Sequence, residues 1–225
     1  MFRKGDVFDN PVTGERATIR LGGRETNGQR LIVDLELRAS GFGSPLHMHP
    51  SIHERLTVVN GRVGIFVNGT ISIARVGKTI DIRPGVAHRF WNAGICEATI
   101  TIDIQPAKRF EAFIRNMIGL AQDGKTDSKG MPHLLQLAAI ATEFEDVIRF
   151  FKPSRFMQRL AFPLLTPIAR MRGYRGSYTE YVARQPGEPV LQVARRYQDV
   201  SESCSRLPDD CKTHPSSTQI RLIRS

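Results

Sequence analysis

Imidazole is the side chain most often used to bind divalent transition metals near neutral pH. Four of the six histidines in this chain, His47, His49, His53 and His88, fall between positions 47 and 88. The run GFGSPLHMHPSIHERLTVVNG sets His47 and His49 two apart, on one face of an extended chain, and brings Glu54 after a four-residue connection. His88 follows a Pro-Gly turn in GKTIDIRPGVAHRFWN. Three imidazoles and one carboxylate make a mixed nitrogen and oxygen donor set for a divalent metal: Fe(II), Mn(II), Ni(II), Co(II) or Zn(II). Octahedral geometry leaves two positions for water, substrate or dioxygen. His53 competes with Glu54, because neighbours on a strand point to opposite faces and only one can look inward. If His88 points inward, Phe90 and Asn92 share its face and become candidate pocket residues, while Arg89 and Trp91 face away. An ordinary core role for Phe90 is equally consistent with this spacing. No Ser-His-Asp grouping, phosphate-cradling glycine loop or nicotinamide fingerprint is present, which disfavours acyl transfer, nucleotide hydrolysis and dehydrogenase chemistry.

Positioning these residues requires strands. From Ala17 to Ile104 the pattern has period two: Leu31, Val33, Leu35 and Leu37 alternate with Ile32, Asp34, Glu36 and Arg38, and Ile100, Ile102 and Ile104 alternate with Thr99, Thr101 and Asp103. Asn60-Gly61 and Asn68-Gly69 are residue pairs that tolerate the positive φ of tight hairpin turns. The expectation is an antiparallel sandwich or small barrel over residues 1–104. After Pro106 the period becomes helical. Phe110, Phe113, Ile114, Met117 and Ala121 share one face, a second helix is expected from Pro132 to about Arg149, and a third from Pro153 to about Met171, broken or kinked by Pro163 and Pro167. Residues 105–184 thus read as a helical extension with too little material for its own core, and 185–225 as a polar, disordered tail.

The 225 residues carry a net charge of +10, unevenly spread. Arg149 to Arg184 holds eight basic residues against the single acid Glu180, mixed with Phe150, Phe151, Phe156, Leu160, Phe162, Leu164, Leu165 and Ile168. Such a mixture suits an acidic membrane surface or partner, or a packed helix with snorkelling arginines. No zinc-finger, RNA-recognition or helix-turn-helix signature accompanies it, so no nucleic acid is expected as a partner. Cys96, Cys204 and Cys211 cannot form a disulfide framework, and with His214 they match no structural zinc spacing. A cytoplasmic, reducing location is the simpler expectation, since MFRKGDVFDN has no apolar signal region and Phe156 to Ile168 is too short and interrupted to span a bilayer.

The histidine runs resemble the two cupin motifs. Gly41, His47, His49, Glu54 and Gly61 satisfy the first, and Gly77, Gly85, His88 and Asn92 the second, with Arg83 standing where the family has proline and Pro84 one place later. The resemblance covers Gly41 to Asn92. It implies a mainly β fold, an antiparallel double-sheet β-barrel of jelly-roll type, with a metal held by His47, His49, Glu54 and His88. It also resolves the competition between Glu54 and His53, which it leaves at the surface or rim. The continuation FEAFIRNMIGLAQDGKTDSKGMP is similar to one in uncharacterised bacterial cupins, and a homodimer is implied. The expected function is a metal-dependent, dioxygenase-type oxidation of a small organic molecule, with Glu54 as ligand or catalytic base. Isomerase or hydrolase chemistry at the same metal is one alternative. The other is a non-catalytic binding or sensing module that docks on a partner or membrane through its basic extension.

Overall fold

The computed structural model of the protein describes residues 1–39, 43–152 and 154–184. Gly41 and Phe42, the tail from 185 onward, and with it Cys204, Cys211 and His214, lie outside the described residues. The elements run β1 (Val7–Asp9), β2 (Arg16–Leu21), β3 (Leu31–Leu37), β4 (His47–Met48), β5 (His53–Asn60), β6 (Arg62–Val67), β7 (Thr70–Arg75), β8 (Thr79–Ile82), β9 (His88–Asn92), β10 (Ala98–Gln105), α1 (Lys108–Gln122), α2 (Leu134–Glu143), β11 (Arg149–Phe150), α3 (Arg155–Met171) and α4 (Thr179–Ala183).

All strand pairs are antiparallel and sort into two sheets, β1-β2-β3-β10-β5-β8 and β11-β4-β9-β6-β7. Among the described residues the two sheets do not close into one hydrogen-bonded barrel, so the expected barrel is a two-sheet arrangement. β10 is central to the first sheet, paired on one side with β3 and on the other with β5. Its alternation is realised directly: Ala98, Ile100, Ile102 and Ile104 are buried, while Thr99, Thr101 and Asp103 are half-buried on the other face. Each buried isoleucine of this kind contributes about 1.5–3 kcal/mol of apolar burial. The same core cluster takes in Phe113 and Leu120 of α1, Leu137 and Ile140 of α2, and Phe150 of β11, so strands and helices share it.

Three local features depart from the sequence reading. Asn68-Gly69 does form a two-residue hairpin between β6 and β7, with φ of 46° and 88°. Asn60-Gly61, in contrast, joins β5 and β6, which lie in different sheets, so it is a corner and not a hairpin. Only Gly61 there has positive φ, and a Cβ on it would come 2.9 Å from Ala98. The second helix ends at Glu143 instead of continuing to Arg149; Arg149 and Phe150 leave it to pair with Met48 and His47. The third helix runs unbroken through Pro163 and Pro167.

Candidate metal centre

The centre is assembled from both sheets. β4 and β9 pair with His47 directly opposite His88, which puts the two rings on one face with centroids 4.2 Å apart. His49 lies just past the end of β4, and the Gly85 amide of the Pro-Gly turn donates to its carbonyl at 2.7 Å, tying the two histidine runs together. Gly85 has φ of 80°, the left-handed conformation this turn needs, and neither Arg83 nor Pro84 displaces the His88 that follows. Glu54 comes from β5 in the opposing sheet. Strand alternation resolves its competition with His53: Glu54 points into the molecule, while His53 faces outward, its Nε2 3.2 Å from Asp81 on the neighbouring β8.

His47, His49, Glu54 and His88 are all no more than 6% exposed, and one ligand atom from each lies within 4.8 Å of the others. Each imidazole is anchored through Nδ1 to a backbone carbonyl: His47 to Pro45 at 2.7 Å, His49 to Val147 at 2.7 Å, His88 to Val86 at 2.9 Å. With the Nδ1 proton donated outward, each ring turns an Nε2 lone pair toward the centre, the tautomer that metal binding requires. His49 is further held by the edge of Phe110, ring to ring 5.5 Å.

Burial and mutual proximity set the electrostatics of the cluster. Burial, reinforced by the neighbouring His88 and His49, depresses His47 to about 3. Burial also depresses His49, against the pull of the Glu54 carboxylate. For Glu54 burial alone acts upward, but His88, His49 and His47 together outweigh it and hold the carboxyl at about 2. His88 is raised, since Glu54 more than offsets its desolvation. Glu54 Oε2 stands 2.8 Å from His88 Nε2 and 3.6 Å from His49 Nε2. Yet both Glu54 Oε2 and His88 Nε2 are buried without a hydrogen-bond partner. In the neutral tautomer the short distance sets two acceptors face to face, an arrangement that only a proton or a cation between them relieves. Ligands about 2.1 Å from a common ion lie up to about 4.2 Å apart, so a shift of well under an ångström brings these four onto one metal. The donor set fits a divalent transition metal.

Two antiparallel sheets with the His-x-His, Glu and second-run His converging between them decide the fold. The chain has the cupin fold. No family model matches the sequence. It is similar to "Probable oxidoreductase virH" of Hypocrea virens, 28% identical over 156 residues, 65% of this chain and 70% of that protein. A Thermotoga maritima structure described as a predicted oxalate decarboxylase aligns at 18% identity and TM-score 0.40, over 47% of this chain and 99% of that one. A cupin-like protein of the same organism aligns at 17% identity and TM-score 0.38, over 48% and 80%.

Within this cupin fold Phe90 is buried and lines a cavity that also touches His47, His49 and Glu54. Asn92 corrects the expectation of a pocket role. It shares the face of His88, but its Nδ2 donates to Leu37 O at 2.8 Å and Cys96 O at 2.7 Å, and its Oδ1 accepts from Gly94 N at 2.8 Å. Both amide hydrogens and the oxygen are engaged in holding the loop after β9, and Asn92 is not among the residues that line the cavity. The sequence reading missed the carbonyls of Pro45, Val86 and Val147, which no side-chain pattern encodes. It placed Phe110 on one face of α1 with Phe113, but not against His49.

Proposed function

We propose that this chain is a metal-dependent oxidoreductase of the dioxygenase type that acts on a small organic molecule. The observation that supports it most is the orphaned pair, Glu54 Oε2 and His88 Nε2, set among three histidines whose tautomers are fixed for binding a cation and beside an internal cavity. His47, His49, His88 and Glu54 would hold the metal; when bound, it supplies a Lewis acid that polarises a substrate hydroxyl or carbonyl and a site for dioxygen. The protein's own contribution is orientation and exclusion of water. Backbone carbonyls fix the three rings, Phe90 and Phe110 wall the centre with apolar surface, and Glu54 either completes the ligand set or, released from it, takes a proton from the substrate. The oxidoreductase name of the Hypocrea virens relative agrees with this reading. The test is turnover by metal-loaded protein with and without oxygen. Loss of turnover under anaerobic conditions is expected, and undiminished turnover would replace the dioxygenase with an isomerase or hydrolase at the same centre.

A second, compatible reading concerns the extension, which we propose docks on an anionic membrane surface. On α3, Phe156, Leu160, Leu164, Ile168 and Met171 recur at helical spacing and are all exposed, Met171 at 88%. Arg149, Lys152, Arg170, Arg172 and Arg175 are exposed on and around the helix. A cationic, apolar helix face matches anionic lipid, whereas pairing two copies of it would bring like charges together. Vesicles containing phosphatidylserine should co-sediment the full chain and pure phosphatidylcholine vesicles should not; equal behaviour of the two would discard this reading.

A further inference from the structure

Beside the metal centre lies a cavity of about 210 Å³ between the sheets and α1. Its wall is dominated by apolar side chains, among them Phe8, Val33, Phe90, Ile102, Phe113 and Met117. The polar residues that reach it fall into two groups, and most are already engaged. Asn10 Oδ1 accepts from the Val12 and Thr13 amides, Thr13 Oγ1 donates to Glu15 at 2.9 Å, and Ser44 Oγ accepts from the Phe90 amide at 3.1 Å. At the end of the cavity formed by His47, His49 and Glu54, the two Nε2 atoms and the carboxylate are the polar atoms turned toward a ligand, since both Nδ1 atoms are held by backbone carbonyls. Among the described residues that line the cavity Lys129 is the one lysine and there is no arginine, so a phosphate or sulfonate finds no guanidinium to pair with there.

We infer that the cavity takes an uncharged, largely apolar molecule of one or two rings that presents a single hydroxyl or carbonyl oxygen to His47, His49 and Glu54. The inference rests on the reading of those residues as a metal centre for the oxygen's role, but on the cavity alone for the size and polarity of the ligand. A cavity of roughly 150 Å³ holds benzene, so one of this volume accommodates about ten heavy atoms. Sugars and phosphate esters are disfavoured because their hydroxyls or charges would be buried without partners, at about 1–3 kcal/mol for each unsatisfied group and more for an ion.

The test is calorimetric titration of the full chain, as purified and zinc-loaded, with 2-naphthol, naphthalene-2-sulfonate and glycerol 3-phosphate, alongside measurement of zinc content. Binding of 2-naphthol at least tenfold tighter than of either anion is expected in both forms. Met117→Trp and Leu35→Phe, which fill the cavity from α1 and β3, should each weaken 2-naphthol at least tenfold with zinc content unchanged, and a variant with the wild-type melting profile is the one compared. Preference for either anion, or 2-naphthol binding unaltered by a folded filling variant, would overturn the inference even if zinc binds. Selective 2-naphthol binding to a chain that takes up no zinc would uphold the cavity's specificity and remove the metal reading instead.

Discussion

The centre between the sheets and the outer face of α3 invert the usual distribution of polarity in opposite senses. At the centre four ionisable side chains are buried to 6% exposure or less; on α3 Phe156 and Leu164 are both 72% exposed. Both arrangements run against the partition of apolar and polar groups that folding favours. The difference lies in support. Each buried imidazole has a carbonyl behind it and a packed ring or strand beside it, whereas the apolar stripe of α3 remains 46–88% exposed. Buried groups held in this way are coupled to everything around them, while exposed ones are free to change.

The largest expected effect is at the strand that joins the two regions. Phe150→Ala removes a buried ring from β11 and should cost about 3–5 kcal/mol in a denaturant titration. Because β11 pairs with His47 and the adjacent Val147 carbonyl orients His49, metal affinity should fall about 10–100-fold in the same variant. A smaller loss comes from removing the metal alone. At a free metal concentration about one hundred times its dissociation constant, linkage adds about 2.7 kcal/mol, so a chelator should lower the melting temperature of the wild type and leave that of His88→Ala unmoved.

Acidification should also destabilise the metal-free protein. His47 is held at about 3 in the folded state against 6.5 for an ordinary imidazole. Between those values the unfolded chain binds the extra proton, so the stability His47 contributes is full above 6.5 and lost as the pH falls toward 3. His47→Gln should flatten that slope, read as denaturation midpoints across the range. The smallest effect is expected on α3, where Leu164→Gln should change stability by no more than about 0.5 kcal/mol. A large loss there would mean that the stripe is covered within the folded chain, and the contrast between the two regions would fail.

The same contrast governs what could be read from the sequence. That His47, His49, Glu54 and His88 come together was legible because side-chain chemistry at fixed spacing is written in residue types, and Leu31–Leu37 and Ala98–Gln105 because alternation records burial directly. β11 was not, since Ile148 and Phe150 continue the apolar spacing of the helix before them, and only the open edge of β4 draws Arg149 and Phe150 into a sheet. The corner at Gly61 carries the same Asn-Gly signal as the hairpin at Gly69; tertiary packing against Ala98 separates them. Asn92 follows the parity of His88 correctly, yet parity cannot show that its amide is already engaged by Leu37, Gly94 and Cys96.

His47, His49, Glu54 and His88 are proposed to share one cation. Elemental analysis of the chain after saturation with Fe(II), Mn(II), Co(II), Ni(II) or Zn(II) and removal of unbound metal tests this most directly. Close to one ion per chain in the wild type and almost none in Glu54→Gln and His88→Ala is the predicted result. A wild-type chain that retains none of the five, or folded variants that retain as much as the wild type, would contradict it.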